Sequence, residues 1–450
     1  MTKTVITYGT FDLLHQGHLN LLKRAKALGD HLIVGVTSES YDKERGKLNV
    51  HDSLVERIEA VKNTGYADEI IVEEYEGQKI HDIQKYDVDI FAIGSDWKGH
   101  FDYLNEYCEV IYLSRTRGVS STKLRDAKHS IIRLGIIGTG RIANRFVPEA
   151  HLVSGIELRG VYNPRIESAS RFAEHHELDF ATDDLEGFYS KIDAVYIASP
   201  HGTHFDYIMK SLSAQKHVLC EKPFVLSVNQ VKETFEKAHE CGLSLLHGIK
   251  TAFCPSFERM VLLSKSGRIG TILDVDASFS KLVDSNMREM QPNAEGGSIL
   301  ELASYPLLAI SKLLGIDSKR TEYFPIYNSD GVDIFTRGII EYATCLGSYE
   351  VGLGAKTEGD LIISGTQGYI YVPSPWWKTD YFEMRFEDQN KTRKFFYPFE
   401  GDGLRYEITE FVRMIHDGAV ESPKLSESET SFIISVIEGF LANKTARKLI

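Results

Sequence analysis

The chain starts an alternating pattern of strands and helices twice. Residues 3–9 (KTVITYG) form a β-rich run that leads through a loop into an amphipathic segment. The run IIRLGIIGTGRIANRF at 131–146 again gives a strand, a glycine turn and a helix. Alternation of strands with helices predicts parallel sheets joined by helical crossovers. Because the second start comes directly after RTRGVSSTKLRDAKHS, we expect two separate α/β sheets with a boundary near residue 130 and almost no linker.

The pattern changes again in the last part of the chain. From about residue 270 onward, LDVDASFSKL, GIIEYATCLGSYEVGL and LIISGTQGYIYV have the length and alternation of long strands. They predict an open, mostly antiparallel sheet. A chain of 450 residues suits two or three domains. We expect α/β domains at 1–129, 131–250 and 251–450.

Composition excludes several classes of protein. The formal net charge of −13 argues against a broad nucleic-acid surface. The chain has no run of 18 apolar residues, so we expect no membrane span, and its start lacks the pattern of a signal peptide. Its five cysteines are scattered without metal-binding spacing. They indicate reduced thiols in a cytoplasmic protein without a resident metal.

Two histidines follow the first predicted strand. In YGTFDLLHQGHLNLL (8–22), His15 and His18 flank Gly17 at the start of a helix. Helix starts at the carboxyl end of a parallel sheet bind phosphate, and glycine lets the backbone approach it closely. Two imidazoles on one helix face can donate to one α-phosphate, whose charge grows during nucleotidyl transfer. The alternative is that the pair only caps the helix or fills space.

A second polar stretch favours the phosphate interpretation. RTRGVSSTKLR (115–125) combines cations and hydroxyl groups at another predicted helix start, which suits a triphosphate. Small anionic substrates thus remain compatible with an acidic chain, because a few local cations and helix starts suffice to hold a phosphate.

Residues 1–129 resemble the cytidylyltransferase superfamily, in particular the glycerol-3-phosphate cytidylyltransferases of wall teichoic acid synthesis. The resemblance is carried by VITYGTFDLLHQGHLNLLKRAKALGD, GSDWKGHFDYL and CEVIYLSRTRGVSSTK. It implies a Rossmann-like nucleotidyltransferase domain in which His15 and His18 are catalytic, with Mg²⁺ accompanying CTP. It also implies that CTP, its phosphates or the polyol phosphate are bound by Thr10, Phe11, Asp12, Gly17, Lys47, Lys79, Asp96, Arg115, Thr116, Ser120, Ser121 and Thr122.

The second glycine turn is typical of a dinucleotide-binding domain. GIIGTGRIA (135–143) has G-x-G-x-x-A spacing between a strand and a helix. Gly138 is expected to make the tight turn, Gly140 to admit the pyrophosphate and Ala143 to pack the helix on the strand. Cofactor contacts are expected from Gly138, Gly140, Arg141 and Ile142.

The end of the next predicted strand bears on the choice of cofactor. NAD-binding domains usually carry an acidic residue there. GVYNPRIE instead has Asn163, with Arg165 close by. Because no carboxylate is present to repel a 2′-phosphate, the sequence favours NADP over NAD, and both side chains are candidate cofactor contacts.

Two further segments suggest hydride transfer. In KHVLCEKPF, Lys222 follows a strand between Glu221 and Pro223. It is either a solvated surface lysine or a buried one that polarises a carbonyl beside the nicotinamide. In AEGGSILELASYPLLAISKLLG, Tyr305 lies on a helix after a double glycine, as a core side chain or as a general acid.

Residues 131–450 resemble the Gfo/Idh/MocA family of oxidoreductases, including the stretch GTQGYIYVPSPWW. The resemblance implies an NAD(P)-binding Rossmann domain and an open-sheet α/β domain, assembled as a homodimer or homotetramer. Lys222 corresponds to the catalytic lysine of the E-K-P motif and Tyr305 to the proton donor, while Glu301 stands where aspartate is common. Further cofactor contacts are implied for Ser199, Pro200, His204, Glu221, Lys222 and Pro223.

Together the two resemblances predict a bifunctional enzyme. A reductase can supply the alditol phosphate that a cytidylyltransferase couples to CTP, so we expect a sugar phosphate, NAD(P)H and CTP as substrates. Arg117 and Gly65 depart from the residues usual in the first family, which leaves the acceptor open. Two alternatives remain: an oxidoreductase part without redox turnover, and one that acts on the nucleotide-linked product or on a separate sugar.

Overall fold

The computed structural model describes residues 3–44, 50, 52–75, 77–114, 131–292 and 295–442, without the side chains of 43 and 44. The chain divides into two compact units, Met1–Asp193 and Ala194–Ile450. The division into three domains at 1–129, 131–250 and 251–450 stays a prediction. Six predicted CTP-binding or substrate-binding residues lie outside the described residues: Lys47, Arg115, Thr116, Ser120, Ser121 and Thr122.

The first unit begins with a five-stranded parallel sheet of order β3-β2-β1-β4-β5. Its elements are β1 (Thr4–Gly9), α1 (Gln16–Lys26), β2 (His31–Thr37), α2 (Glu39–Glu44), α3 (Leu54–Asn63), β3 (Glu69–Glu73), α4 (Gln78–Lys85), β4 (Ile90–Gly94) and β5 (Glu109–Leu113). Parallel pairing joins β1 to both β2 and β4, as the alternating pattern predicts.

Both faces of this sheet are buried. Val5 packs in a cluster with Leu22 of α1 on one face, whereas its neighbour Ile6 packs with Phe91 on the other. Successive side chains of a strand point to opposite faces, so continuous apolar strands are expected where helices cover both sides. The carboxyl end of β1 therefore leads out of the core into the loop that carries the two histidines.

The same unit continues with β6 (Ile132–Ile137), α5 (Arg141–Ala150), β7 (Ile156–Tyr162), α6 (Ile166–His175), β8 (Phe180–Thr182) and α7 (Leu185–Tyr189). The three strands pair in parallel in the order β6-β7-β8. This is the strand, glycine turn and helix arrangement that the sequence predicts for a dinucleotide-binding domain.

The second unit begins with another run of parallel strands and helices. Its elements are β9 (Ala194–Ile197), α8 (His204–Ser213), β10 (His217–Glu221), α9 (Val228–Cys241), β11 (Leu245–Gly248) and α10 (Pro255–Lys265). β10 pairs in parallel with both β9 and β11. Cys220 in β10 is buried, and burial raises the pKa of its thiol well above the usual value.

An eight-stranded open sheet follows, of order β13-β14-β15-β12-β16-β17-β18-β19. β12 and β15 pair in parallel and the other neighbours pair antiparallel, which confirms the predicted mostly antiparallel sheet. The strands are β12 (Ile272–Ser280), β13 (Arg320–Tyr327), β14 (Asp333–Glu341), β15 (Leu346–Gly352), β16 (Leu361–Gly365), β17 (Tyr369–Val372), β18 (Tyr381–Arg385) and β19 (Arg393–Phe396). The helices of this part are α11 (Ser298–Leu302), α12 (Ser304–Leu314), α13 (Leu404–Asp417) and α14 (Glu427–Ala442).

The sequence predicts neither a membrane span nor a resident metal ion. Within the described ranges, the model contains no helix with the length and apolar character needed to cross a membrane. The same ranges hold no cluster of three or more side chains able to bind a metal ion.

Candidate functional site

The two histidines form a reciprocal cap at the start of α1. His15 is the N-cap residue, and its Nδ1 accepts a hydrogen bond from the backbone N–H of Gly17 at 3.1 Å. The backbone N–H of His15 donates to Nδ1 of His18 at 3.4 Å. The two rings stack with centroids 4.0 Å apart. Both imidazoles thus lie side by side at the helix start.

This cap determines which ring nitrogen carries the hydrogen. An Nδ1 atom that accepts from a backbone N–H has no hydrogen of its own, so in each neutral ring the hydrogen lies on Nε2. Nε2 of His15 and of His18 is therefore a donor, as the oxygens of a phosphate require. Capping and catalysis are consequently compatible, because the cap orients the same rings that would donate to a phosphate.

The loop before the histidines has a strained backbone. Phe11 and Leu13 have φ angles of 52° and 43°, a conformation that costs about 1–3 kcal/mol in residues other than glycine. Phe11 is buried, and its ring packs edge-on against His18 with centroids 5.4 Å apart. A Cβ atom on Gly9 would lie 3.1 Å from the Phe11 ring. The loop therefore places Phe11 where it supports His18.

Polar contacts from later segments hold the same loop. Thr10 Oγ1 donates to Asp42 at 2.8 Å, and the backbone N–H of Asp52 donates to Asp12 Oδ1 at 2.8 Å. Arg57 is fully buried and donates from Nη1 to the carbonyl oxygen of Thr10 at 2.8 Å. Sequence reasoning missed Arg57. Its one sequence signal is a charged residue on the otherwise apolar face of α3.

A cavity of about 250 Å³ includes the histidine pair. Five predicted residues line it: Asp12, His15, Gly17, His18 and Asp96. Arg24 and Asn20, both on α1, also line it and were not predicted. Thr10 and Phe11 are absent from the described lining. The remaining walls include residues 150, 151 and 153–158, which follow the glycine turn in the chain.

Lys79 occupies a buried position on α4. It forms an ion pair with Glu73, and their side chains are 8% and 0% exposed. Its Nζ lies 4.8 Å from the centroid of the Tyr8 ring. Lys79 is not among the described residues that line the cavity. The structure thus gives its charge a partner in the core, and contact with a substrate phosphate stays a prediction.

The glycine turn leaves the start of α5 open. Gly138 has a φ of 104°, which favours glycine, and its N–H donates to the carbonyl oxygen of Tyr162 at 3.0 Å. Gly140 is the N-cap of α5. A Cβ atom on Gly140 would meet no atom within 4 Å among the described residues. Because the first N–H groups of a helix have no partner inside it, this open helix start suits a pyrophosphate. Arg141 and Ile142 are the first two residues of the helix.

Asn163 links the second strand to the glycine turn. Its Nδ2 donates to Thr139 Oγ1 at 3.0 Å, and its Oδ1 accepts from the backbone N–H of Arg165 at 2.9 Å. Arg165 is exposed at the start of α6. A neutral side chain therefore occupies the position where an acidic residue would repel a 2′-phosphate.

Lys222 follows β10 and lies in a charged cluster within the second unit. Its Nζ donates to the carbonyl oxygen of Glu301 at 2.9 Å and lies 3.9 Å from Glu301 Oε2. Arg288 forms an ion pair with the same carboxylate, and His201 Nε2 lies 3.8 Å from it. With a side chain 17% exposed, Lys222 is mostly buried rather than solvated. Sequence reasoning did not single out Arg288 or His201.

Burial determines the charge of the neighbouring groups. It lowers the pKa of His201 to about 2, with a further contribution from the charge of Lys222, so this ring is neutral near pH 7. Burial also raises the pKa of Glu221, while Lys222 acts in the opposite direction. Glu221 Oε1 accepts a hydrogen bond from the hydroxyl of Tyr196 at 2.6 Å. Glu221 is therefore held in the core beside the lysine.

His204 connects the loops that follow β9 and β10. Its Nε2 lies 3.0 Å from the carbonyl oxygen of Ser199, and its Nδ1 lies 2.9 Å from that of Pro223. Thr203 Oγ1 donates to Ser199 Oγ at 2.8 Å, and Pro200 precedes a short 3₁₀ turn. These residues brace one another, and their contact with a cofactor stays a prediction.

Tyr305 lies half-buried on α12. Its ring contacts Phe279 edge-on with centroids 5.2 Å apart, and Phe279 stacks on Trp377 at 3.7 Å. At the double glycine before α11, the close contact is with Asp333. A Cβ atom on Gly297 would collide with Asp333, whose carboxylate accepts hydrogen bonds at the start of α11.

Comparison with known families agrees with this geometry. A family model described as "Cytidylyltransferase-like" matches residues 6–127. A model described as "Oxidoreductase family, NAD-binding Rossmann fold" matches residues 132–248. The boundary between the two matches lies where the strand and helix pattern restarts.

Individual relatives match each part separately. Glycerol-3-phosphate cytidylyltransferase of Bacillus spizizenii is 52% identical over 123 residues, covering 27% of this chain and 95% of the relative. The scyllo-inositol 2-dehydrogenase (NADP(+)) of Bacillus subtilis is 29% identical over 307 residues, covering 65% of this chain and 90% of the relative. A solved 3-ketoreductase from Actinomadura kijaniata in complex with NADP and TDP-benzene has a TM-score of 0.62 at 22% identity, covering 70% of this chain and 98% of that chain.

Fold, sites and relatives together define a nucleotidyltransferase domain fused to an NAD(P)-dependent oxidoreductase. The N-terminal part has the Rossmann-like nucleotidyltransferase fold, and the remainder combines a dinucleotide-binding domain with a mostly antiparallel sheet, as predicted. The chain belongs to the cytidylyltransferase family through its N-terminal domain, and residues 132–248 match the NAD-binding Rossmann model of the Gfo/Idh/MocA oxidoreductases.

Proposed function

We propose that the protein reduces a sugar phosphate, such as a pentulose 5-phosphate, and then couples the resulting alditol phosphate to CTP. In the first step, hydride from NAD(P)H and a proton convert a carbonyl group into an alcohol. In the second, a phosphate oxygen of the alditol phosphate attacks the α-phosphorus of CTP and pyrophosphate leaves. The product is a CDP-alditol of the CDP-ribitol or CDP-glycerol type, for teichoic acid or capsule synthesis.

The observation that carries the second step is the imidazole pair. His15 and His18 hold Nε2–H donors side by side in a lined cavity. Negative charge grows on the α-phosphate as the new bond forms, and prearranged donors stabilise that charge. A relative named glycerol-3-phosphate cytidylyltransferase, 52% identical over the domain, supports CTP and a polyol phosphate as substrates.

Mg²⁺ is proposed to enter with CTP. Magnesium commonly binds through one or two carboxylates together with substrate phosphates and water. Asp12 lines the cavity with the imidazoles and would supply such a carboxylate. The ion would offset charge on the triphosphate. Orienting and donating to the α-phosphate would remain the work of His15 and His18.

The reductive step is assigned to Lys222 and Tyr305. The Lys222 ammonium is oriented by Glu301, so it can donate to a substrate carbonyl oxygen. Tyr305 would supply the proton that this oxygen gains. Bound nicotinamide supplies the hydride, and Asn163 with exposed Arg165 supports NADP. A relative and a solved neighbour named with NADP support the same choice.

The open sheet is proposed as the surface for a homodimer or homotetramer. Helix α12 packs against β12 and β15 on one face of that sheet. Phe324, Ile326 and Leu346 are exposed by 36%, 47% and 45%. Their register places all three on one face of the sheet. Exposed apolar side chains grouped in this way are typical of a protein interface.

The test is to incubate the full chain with CTP, NADPH and a panel of ketose and aldose phosphates. Absorbance at the nicotinamide band follows reduction, and mass spectrometry identifies the nucleotide product. We expect NADPH oxidation with a sugar phosphate whose reduced form appears as a CDP-alditol. If no sugar phosphate in the panel is reduced, the proposed sequence of reactions is wrong.

Two controls separate the alternatives. If Lys222→Ala leaves every activity unchanged, the oxidoreductase part has no redox turnover and the chain is a cytidylyltransferase only. Reduction of NADP⁺ with purified CDP-alditol would instead show that this part acts on the nucleotide-linked product.

A further inference from the structure

The cavity that contains the histidine pair is lined by residues from two parts of the chain, and each part matches a different family model. His15, His18 and Asp96 come from the part matched as cytidylyltransferase-like, which ends at residue 127. Residues 150, 151 and 153–158 also line it, and they belong to the part matched as an oxidoreductase. A cytidylyltransferase that consists of the first domain alone lacks this second wall. The oxidoreductase part therefore contributes side chains to a pocket that is separate from its own glycine turn.

Two side chains of the second wall can contact a ligand. His151 follows the last turn of α5, and its Nε2 lies 3.9 Å from Asp96 Oδ1. Glu157 lies in β7, with Oε2 at 3.5 Å from Arg159. The side chains of His151 and Glu157 are 23% and 18% exposed, so each is mostly buried but still partly accessible. A further contact between the two parts joins Ser95 to Glu177.

The lining of the cavity carries groups of both signs. The imidazoles and Arg24 supply donors suited to phosphate oxygens. The carboxylates are those of Asp12 and Asp96 from the first part and that of Glu157 from the second. Arg159, which lies 3.5 Å from Glu157, also forms an ion pair with Asp179 at 2.8 Å. Carboxylates repel a triphosphate but accept hydrogen bonds from hydroxyl groups.

We propose that His151 and Glu157 of the oxidoreductase part bind hydroxyl groups of a substrate during cytidylyl transfer. The ligand chemistry is a chain or ring that carries adjacent hydroxyl groups. Both the ribose of CTP and the polyol part of the acceptor have this chemistry. The inference rests on the proposed cytidylyl transfer, and it assigns to the fused domain a role in substrate specificity.

The test uses the full-length chain with His151→Ala, His151→Asn and Glu157→Gln. Pyrophosphate release is measured without nicotinamide cofactor, with CTP or dCTP and with glycerol 3-phosphate or ribitol 5-phosphate. Matched controls are His239→Ala and Glu167→Gln, both exposed positions that do not line the described cavity. Thermal unfolding and NADPH oxidation report whether each variant is folded.

Loss of one or two hydrogen bonds is expected to raise a KM about five- to tenfold with kcat within about twofold. A higher KM for the acceptor at unchanged KM for CTP assigns the hydroxyl groups to the polyol. A higher KM for CTP, without a rise in the KM for dCTP relative to the wild type, assigns the hydroxyl groups to the ribose. Either result supports the proposal, and the controls are expected to match the wild type.

Unchanged KM values for both substrates in folded His151 and Glu157 variants would overturn the proposal. A fall in kcat at unchanged KM would overturn it as well, because hydroxyl binding acts on the bound substrate. Failure of the proposed function gives a different result. In that case the wild-type chain itself releases no pyrophosphate from CTP with any polyol phosphate.

Discussion

His15 caps a helix in the structure and has a proposed catalytic role, and one pair of substitutions distinguishes the two. Its Nδ1 caps α1 by accepting from Gly17, whereas its Nε2 is the donor assigned to the α-phosphate. His15→Ala removes both roles. His15→Asn restores an oxygen acceptor at the N-cap, where asparagine is among the best residues, but places no donor at the position of Nε2.

The expected magnitudes differ enough to be measured separately. Loss of an N-cap costs about 1 kcal/mol of folding free energy. Loss of one prearranged donor to a developing oxyanion lowers kcat about 10²- to 10³-fold, equivalent to about 3–4 kcal/mol of transition-state stabilisation. We therefore expect His15→Ala to lose about 1 kcal/mol of folding free energy and to lower kcat about 10²- to 10³-fold. His15→Asn should retain wild-type stability and still lose the full factor in kcat.

The assay combines urea unfolding with pyrophosphate release from CTP in the presence of a polyol phosphate. Ser227→Ala is the matched control, because Ser227 caps α9 by accepting from the N–H of Gln230 and lies in the second unit. It should lose about 1 kcal/mol of stability with unchanged pyrophosphate release. A His15→Asn variant with wild-type kcat would refute the catalytic role and leave only the cap.

Further predictions concern the oxidoreductase part. Lys222→Ala and Tyr305→Phe are each expected to lower kcat for NADPH oxidation at least about 10²-fold while pyrophosphate release is unchanged; equal loss of both activities would contradict separate sites. Asn163→Asp should raise the KM for NADPH about tenfold relative to NADH in initial-rate measurements, since a carboxylate repels the 2′-phosphate; parallel changes for both cofactors would contradict this. Burial raises the pKa of Asp333 to about 6, so ionising it costs about 3 kcal/mol in the folded state. Asp333 should therefore lower the free energy of unfolding by roughly that amount as the pH rises from about 4 to about 6, in addition to the contributions of other titrating groups. Asp333→Asn should lack this fall in urea titrations, and an identical pH profile for the two proteins would refute the assignment.

Local patterns predicted the main features of the fold because each depends on neighbouring residues. The Gly138 turn requires a backbone that favours glycine, and the strand before it and the helix after it are visible as apolar periodicity. The spacing of His15 and His18 determines that both rings meet at one helix start. Long alternating segments predicted the open sheet and overlap five of its strands, β12 and β14 to β17, whereas β13, β18 and β19 were not predicted.

The supporting residues were missed because their roles come from distant contacts. Arg57 holds the carbonyl of Thr10 across 47 positions of sequence. Glu301 was named from the sequence, but its contact with Lys222, across 79 positions, was not predicted. For Lys79 the family resemblance implied phosphate binding, which stays a prediction, and the structure adds a buried ion pair with Glu73. No local pattern specifies which distant groups meet such side chains.

The sequence by itself determined two α/β parts and the families they resemble, and it located the imidazole, glycine and lysine motifs, because these properties reside in short segments with regular backbone geometry. Only the tertiary structure decided that the imidazoles share a cap that sets their hydrogens. It also decided that residues 150, 151 and 153–158 complete the cavity around them. Such arrangements arise when segments far apart in the chain pack together, and packing depends on three-dimensional shape and burial rather than on local order.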